Sequence, residues 1–244
     1  MSQICLIGIG TGNPDHVTRE AEAALRDAAL ILVPRKGPDK ADLADLRHAI
    51  IKRAGATAPV AEFDYPERDS AVPYVERVTQ WHDEIARRWQ SLIDVAPDGP
   101  VALLVWGDPS LYDSTLRIAE RLHPQRSLRV VPGITSLQAL TAAHAIPLNA
   151  LAGALTVTTG RRLRDHGWPP EAETVAVMLD GDCSFQTLAP EGIQIWWGAF
   201  LSMPEQVLIS GLLSDVAAEI VASRAAARER HGWIMDTYLM RKTT

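Results

Sequence analysis

Short apolar runs alternate with amphipathic stretches through the first half of this chain. QICLIGI, ALILV and VALLVW have the length and composition of buried strands, whereas REAEAALRDA and KADLADLRHAIIKRAG carry apolar residues at helical spacing. Strands that alternate with helices in this way form a largely parallel sheet, which helices must cover on both faces. The pattern predicts an α/β fold for this half.

The second half of the chain has a different rhythm. Five strand-like segments follow one another closely, namely ALTVTT, TVAVML, IQIWWGAF, VLISGLL and WIMDTYLM, and a helix is expected over residues 214–230. Closely spaced strands favour a mixed sheet. We therefore expect two αβα domains, the N-terminal one with a mostly parallel sheet and the C-terminal one with a mixed sheet.

Two more helices are predicted in the first half. Residues 111–122 form the shorter one, before a strand over residues 128–131. Residues 73–93 form the longer one, whose apolar side chains recur every three or four positions and should face the core: Val75, Val78, Trp81, Ile85, Trp89 and Leu92.

Residues 130–160 contain no Lys, Arg, Asp or Glu, although 22% of the chain is charged. We expect this stretch to be largely buried. It could be the seam between two domains, extended by a subunit interface, or an interior helix and strand of one domain. We place the division at Pro132, which gives domains of residues 1–132 and 133–244.

Composition narrows the class of protein. The net charge of −6 and the pI near 5.6 argue against nucleic acid as a partner. No apolar run approaches the roughly 20 residues of a membrane span, and no leader peptide is evident, so we expect a cytoplasmic protein without a membrane partner. The seven histidines and two cysteines show no metal-ligand spacing, and we expect no bound metal.

The segment GIGTGNP follows the first strand and raises the possibility of a dinucleotide site. A G-x-G-x-x-G loop needs a third glycine at position 13, where the chain has Asn13 and then Pro14, which offers no N–H to a phosphate. The next helix should begin only after Thr18 as N-cap. No ribose-binding acid follows the second strand, although Arg35 or Lys36 could meet a 2′-phosphate. An NADP-dependent oxidoreductase therefore stays open as an alternative.

Three glycine- and proline-punctuated segments, GIGTGNPDHVT, VWGDPSLY and VVPGITS, together resemble the tetrapyrrole methylase family. Its members transfer methyl groups from S-adenosylmethionine to macrocycles of the cobalamin and sirohaem routes. The family's first loop reads roughly G-x-G-P-G-D-P, so Thr11 and Asn13 depart from it, whereas the other two motifs are intact. The resemblance implies the tetrapyrrole methylase fold, a homodimer and S-adenosylhomocysteine as product.

The resemblance also implies a donor site in the cleft between the two domains. Its contacts would come from Pro14, Trp106, Gly107, Asp108, Leu111, Thr135, Ser136, Met178, Leu179 and either Gly198 or Ala199. Gly107 would let the donor approach the backbone. Asp108 invites a general-base role, but an Asp before Pro at a strand end is more often a turn residue that accepts backbone N–H bonds.

Three further segments narrow the resemblance. VPRKGPDKADLADLR, YPERD with Tyr74 and Trp81, and the closing RAAARERHGWIMDTYLMRK resemble the family members that methylate carbon 1 of a corrin precursor and release acetate. Each segment can also be an ordinary amphipathic helix or solvated turn. Other tetrapyrroles, a protein or RNA stay open as substrates, as does a binding module without activity.

The implied substrate is a polycarboxylate, which arginine binds well. Arg35 and Lys36 after the second strand are therefore the first candidates for catalytic contact, followed by Asp69 with Asp64 and Tyr65 around YPERD. A second basic cluster follows ALTVTT: Arg161, Arg162 and Arg164. Both basic clusters can equally be solvated loop cations.

Overall fold

The computed structural model describes residues 2–35, 41–67, 69, 71 and 73–243. The chain divides into two compact units, Met1–Thr135 and Ser136–Thr244. The boundary between the units lies after Thr135, whereas the sequence predicts it after Pro132.

Unit 1 contains a parallel five-stranded sheet. Its strands are β1 (Ile4–Gly8), β2 (Leu30–Arg35), β3 (Val60–Asp64), β4 (Val101–Val105) and β5 (Leu128–Val131), in the order β3-β2-β4-β1-β5. Gly8 pairs with Val105, so β1 and β4 end level with each other. Because all the strands are parallel, the loops after β1, β4 and β5 leave from one edge of the sheet.

Helices cover both faces of this sheet, as its buried strands require. They are α1 (Arg19–Arg26), α2 (Ala41–Ala54), α3 (Tyr74–Ile93) and α4 (Thr115–Ala119), with a 3-10 helix at Pro14–His16. Thr18 caps α1 by accepting a hydrogen bond from the Ala21 N–H, which confirms the expected helix start. One face packs mainly on α3 through Ile85 and Trp89, and the other on α1 and α2.

Two expectations for unit 1 are wrong in part. Val75 does not face the core, because it lies in the first turn of α3 with 76% of its surface exposed. The helix expected over residues 111–122 is shorter in the structure, where α4 spans only Thr115–Ala119. Its first turn is lost because Asp108 and Asp113 each accept hydrogen bonds from residues two positions further on, which forms successive turns instead of a helix.

Unit 2 contains a mixed five-stranded sheet, as expected. Its strands are β6 (Leu155–Thr159), β7 (Thr174–Met178), β8 (Ile193–Ala199), β9 (Val207–Leu212) and β10 (Asp236–Lys242), in the order β6-β7-β10-β8-β9. Only the β6–β7 pair is parallel. The helices are α5 (Ser136–Ala143), α6 (Gly160–His166) and α7 (Leu213–His231), with a 3-10 helix at Ser184–Thr187.

The charge-free stretch over residues 130–160 is not largely buried, contrary to expectation. Leu137 and Leu140 on α5 enter the core, but Val130 is 41% exposed and Leu151 is fully exposed. The stretch contains the end of β5, the short helix α5, a loop and the strand β6. The absence of charged residues therefore does not predict that residues 130–160 are buried in the single chain.

No described helix is both long and apolar enough to span a bilayer.

Candidate functional site

The three motif loops meet at the carboxyl edge of the unit 1 sheet. The Gly107 N–H donates to the Gly10 carbonyl at 2.8 Å, and the Gly10 N–H donates to the Gly107 carbonyl at 3.3 Å. This pair of bonds joins the loop after β1 to the loop after β4. The loop after β5 is joined to the second of these by Asp108, whose carboxylate accepts from the Gly133 N–H at 2.8 Å.

The loops approach so closely that side chains are excluded at two of their glycines. A Cβ on Gly133 would lie 2.1 Å from the Gly107 carbonyl oxygen, and one on Gly8 would lie 2.5 Å from the Gly133 nitrogen. Because the obstructing atoms belong to the backbone, no side-chain rotation can make room. Gly8 and Gly133 are required for the loops to meet, a role that the sequence analysis did not assign.

Gly107 is required for a different reason. Its φ of +66° lies in the left-handed region, which glycine adopts without strain. A Cβ there would find only the Thr135 Cα, at 3.9 Å, so the space beside Gly107 is open. This open approach to the backbone is what the predicted donor contact needs. A bulky residue at this position would strain the loop as well as fill the space.

Asp108 has the contacts of a turn residue. Its Oδ1 accepts from the Ser110 N–H at 2.8 Å and from the Ser110 hydroxyl at 2.5 Å, while its Oδ2 accepts from Gly133. Burial raises the pKa of this carboxyl, but the Ser110 hydroxyl and the two backbone N–H groups outweigh burial and hold the pKa below its usual value. With both oxygens engaged and ionised, Asp108 is poorly suited to act as a general base.

The remaining predicted donor residues of unit 1 lie along the same loops. Pro14 begins the 3-10 helix after β1 and is half-buried, and Trp106 directly precedes Gly107 and packs against the α1 and α2 side of the core. The Leu111 N–H donates to the Asp108 carbonyl at 3.3 Å. Thr135 ends the loop after β5. Their roles toward a donor stay predictions.

Two buried polar atoms near these loops have no hydrogen-bond partner among the described residues. They are Thr11 Oγ1, in a residue that is 4% exposed, and His16 Nδ1. An unpaired buried polar group costs free energy, so such atoms mark positions where a ligand can complete the bonding. The signal in the sequence was Thr11 itself, which stands where the family has proline.

Unit 2 places its predicted donor residues in separate settings. Ser136 begins α5, and its buried hydroxyl lacks a partner among the described residues. Leu179 follows β7 with a φ of +54° and 66% exposure, an unusual combination for a bulky apolar residue. Ala199, at the end of β8, is fully buried and paired with both neighbouring strands, and its contact with a donor stays a prediction.

A hydrogen-bond network centred on Asp180 holds the loop that contains Leu179. The Tyr238 hydroxyl and the Ser184 N–H both donate to Asp180 Oδ2 at 2.6 Å, and the Ser184 hydroxyl donates to Oδ1 at 2.8 Å. The Asp180 carboxylate also fills the space beside Gly160, where a Cβ would lie 2.3 Å away. Asp180 was missed from sequence because a lone Asp after a strand carries no distinctive signal.

Of the three predicted catalytic residues, the structure describes Arg35 and Asp69. Arg35 ends β2 with its side chain 60% exposed and paired with Glu62, which also bonds His48 at 2.8 Å. Lys36 lies outside the described residues. Asp69 is exposed and accepts from the Ala71 N–H at 2.8 Å. On α6, Arg164 pairs with Asp182 at 2.7 Å. The structure does not bring Arg35 and Asp69 into direct contact with the glycine loops.

The arrangement in unit 1 fits a methyl donor better than a dinucleotide. The edge presents an open left-handed glycine, Gly107, and a buried hydroxyl, that of Thr11, which has no partner in the described part of the chain. The α1 helix starts five residues after Pro14. The first α-helix after the glycines begins only at Arg19, whereas pyrophosphate binding requires an α-helix N-terminus directly after them. In unit 2 the Ser136 hydroxyl, for which the described residues supply no hydrogen-bond partner, is a further polar group available to a ligand.

The chain belongs to the tetrapyrrole (corrin/porphyrin) methylase family, whose model matches residues 3–217. Precorrin-6A synthase [deacetylating] from Sinorhizobium is 43% identical, over 99% of this chain and 96% of that protein.

Solved structures agree with this assignment. A cobalamin synthesis related protein (CobF) from Corynebacterium diphtheriae is 39% identical, with a TM-score of 0.86 over the whole of both chains. Uroporphyrin-III C-methyltransferase from Thermus thermophilus, complexed with S-adenosylhomocysteine, covers 98% of this chain and 97% of its own with a TM-score of 0.61. At 18% identity, the latter likeness shows the fold alone.

Proposed function

We propose that this chain is an S-adenosylmethionine-dependent methyltransferase that methylates precorrin-5 at carbon 1 and releases acetate, which gives precorrin-6A in cobalamin biosynthesis. The full-length identity of 43% to the Sinorhizobium enzyme carries the proposal. The convergence of all three family motifs at one sheet edge supports it, because these loops would receive the donor.

The reaction balances with one water. Water adds to the acetyl carbonyl, and the bond between that carbon and the macrocycle breaks. Its electron pair enters the macrocycle, whose carbon 1 takes the methyl group, while acetate, two protons and S-adenosylhomocysteine leave. S-adenosylmethionine, when bound, supplies the electrophilic methyl. The protein must hold the reacting carbons in line and limit access of bulk water.

The glycine-lined edge of unit 1 supplies the rigid part of this task. The Gly10–Gly107 bonds and the Asp108–Gly133 bond fix the three loops to one another, so that backbone groups would be in place before the donor arrives. Gly107 leaves its backbone accessible. The Thr11 hydroxyl and, in unit 2, the Ser136 hydroxyl would each gain a hydrogen-bond partner from the bound donor. The predicted position of the donor between the two domains remains a proposal.

Calorimetric titration tests the donor. S-adenosylhomocysteine should bind and NADPH should give no heat; the opposite result would favour the oxidoreductase. Thr11→Val should weaken S-adenosylhomocysteine binding without loss of stability, since it removes a buried hydroxyl that has no partner among the described residues. Thr79→Val is the matched control, because Thr79 lies exposed on α3 and bonds only its own helix, at the Val75 carbonyl.

Incubation with labelled donor and purified precorrin-5, followed by mass spectrometry, tests the substrate. One acetate should appear for each methyl group transferred. Acetate without methylation, or methylated product that keeps its acetyl group, would contradict the coupled reaction. Methylation of another tetrapyrrole, a protein or RNA in place of precorrin-5 would move the chain to a different member of the family.

We also propose that the chain works as a homodimer in the cytoplasm. The family resemblance and the charge-free, partly exposed stretch over residues 130–160 support the dimer. The two free, buried cysteines are consistent with a reducing compartment. Light scattering at micromolar concentration should give twice the chain mass of 26.6 kDa, and a monomer would contradict this part of the proposal.

A further inference from the structure

Arg47 on α2 is a buried cation that forms no hydrogen bond to a carboxylate of any described residue. The residue is 6% exposed, and its hydrogen bonds go to backbone carbonyls: Nε donates to Leu104 at 3.3 Å and Nη1 donates to Leu43 at 2.9 Å. Among the described residues no carboxylate forms an ion pair with it. A buried charge is costly unless it is paired, so this guanidinium requires an explanation.

The guanidinium lies at the functional edge of the unit 1 sheet. Leu104 is the second-last residue of β4, three positions before Gly107, and Leu43 lies in the first turn of α2. Burial lowers the pKa of Arg47, while Tyr65, directly after β3, and Asp113, beyond the loop after β4, are near enough to raise it. Arg47 therefore contacts β4 near its carboxyl end, and substrates of α/β proteins bind at the carboxyl ends of strands.

The two hydrogen bonds from Arg47 to backbone carbonyls do not explain why a positively charged side chain is needed at this position. Two carbonyl acceptors can be satisfied by neutral donors, and Arg47 Nη2 makes no hydrogen bond to any described residue. Asp113 is near, but its Oδ1 already accepts from the Thr115 N–H at 2.6 Å and from the Thr115 hydroxyl. The positive charge and the Nη2 donors remain available for a ligand with an anionic oxygen.

We propose that Arg47 binds a carboxylate of the macrocycle substrate. The inference rests on the proposed function, which supplies a polycarboxylate at this edge of the sheet. A guanidinium matches a carboxylate through parallel N–H donors, and a cation that is already desolvated by the fold gives up little hydration on binding. The substrate carboxylate thus provides the directly bonded counter-charge that no described carboxylate supplies. Arg47 would contribute to macrocycle binding and not to donor binding.

Three variants test the assignment. Arg47→Met removes the charge at similar volume, Arg47→Lys keeps the charge but not the fork of donors, and Lys52→Met makes the same charge change at an exposed position of α2. Arg47→Met should raise the KM for precorrin-5 about 10- to 100-fold, the loss expected for a charge-assisted hydrogen bond. Arg47→Lys should fall between it and wild type. S-adenosylhomocysteine affinity should stay at the wild-type level in all three.

The outcomes separate this inference from the proposed function. A KM for Arg47→Met equal to that of Lys52→Met overturns the role of Arg47, and so does a fall in kcat and acetate release without a change in KM. If both Arg47 variants lose S-adenosylhomocysteine binding, the role of Arg47 is purely structural, and this outcome also overturns the proposed role.

If the wild-type protein does not turn over precorrin-5, the proposed function fails. Binding of uroporphyrin III, used as a polycarboxylate probe, then tests whether Arg47 binds a macrocycle carboxylate. Fluorescence titration should then show weaker binding by Arg47→Met than by Lys52→Met. Equal binding by these two variants overturns the inference. Circular dichroism melts of each variant, with and without the probe, check that folding is retained. The probe should raise the Tm of wild type more than that of Arg47→Met.

Discussion

The Gly133 N–H donates a 2.8 Å hydrogen bond to Asp108 Oδ2, which ties the loop after β5 to the loop after β4. The same carboxylate accepts two further bonds from Ser110. One side chain thus sets the position of two of the three loops that form the candidate donor site.

Asp108→Asn should destabilise unit 1 by about 2 kcal/mol, because an amide cannot accept on both sides and leaves one buried N–H unpaired. Since the folded pKa of Asp108 lies below its ordinary value, its contribution is complete above about pH 4 and is lost as the pH falls through the folded pKa. Urea unfolding between pH 3 and neutrality should therefore show a steeper acid loss in wild type than in Asp108→Asn; parallel curves would contradict this.

Gly133→Ala should cost about 3 kcal/mol and abolish S-adenosylhomocysteine binding, because the added Cβ would lie 2.1 Å from the Gly107 carbonyl oxygen. The loops would have to move apart. Gly181→Ala is the control, since a Cβ there meets no atom within 4 Å. Chemical unfolding and calorimetry measure the two effects. Wild-type affinity in Gly133→Ala would show that the close approach of the loops is not needed.

Tyr238→Phe should cost about 1.5–3 kcal/mol, because it deletes a buried hydrogen bond of 2.6 Å to the Asp180 carboxylate. Burial raises the pKa of Tyr238, and Asp180 raises it further, so the phenol stays a donor throughout the accessible pH range. Ser214→Ala is the matched control, because it removes a hydroxyl–carboxylate bond of 2.7 Å at an exposed site. Equal free energies of unfolding for the two variants would contradict the importance of the network.

Both thiols should be unreactive in the folded protein. Burial raises the pKa of Cys5, and burial raises the pKa of Cys183 to about 11, so neither forms the nucleophilic thiolate near neutrality. A disulfide reagent at pH 8 should label the native protein only slowly and should titrate two thiols once guanidinium unfolds it. Rapid labelling of one native thiol would show that its burial is transient.

The sequence determined the class of fold and which loops form the candidate site on it. The parallel sheet of unit 1 could be predicted from strand-length apolar runs separated by amphipathic helices. A strand that is buried on both faces consists almost entirely of apolar residues, so its sequence is recognisable. Punctuation by glycine and proline at the ends of β1, β4 and β5 marked the loops that the structure brings together. The turn role of Asp108 also followed from its place before Pro109.

Tertiary structure decided which residues of those loops are constrained, and how. That Gly8 and Gly133 exclude a Cβ depends on a neighbouring backbone far away in sequence. That Arg47 is buried and bonds backbone carbonyls depends on how α2 packs against β4. The exposure of Val75 and Leu151 could not be predicted from the sequence either, because an apolar side chain is buried only if the fold places another surface against it. Local patterns report backbone preference, whereas contact and burial are set by segments that only the folded chain brings together.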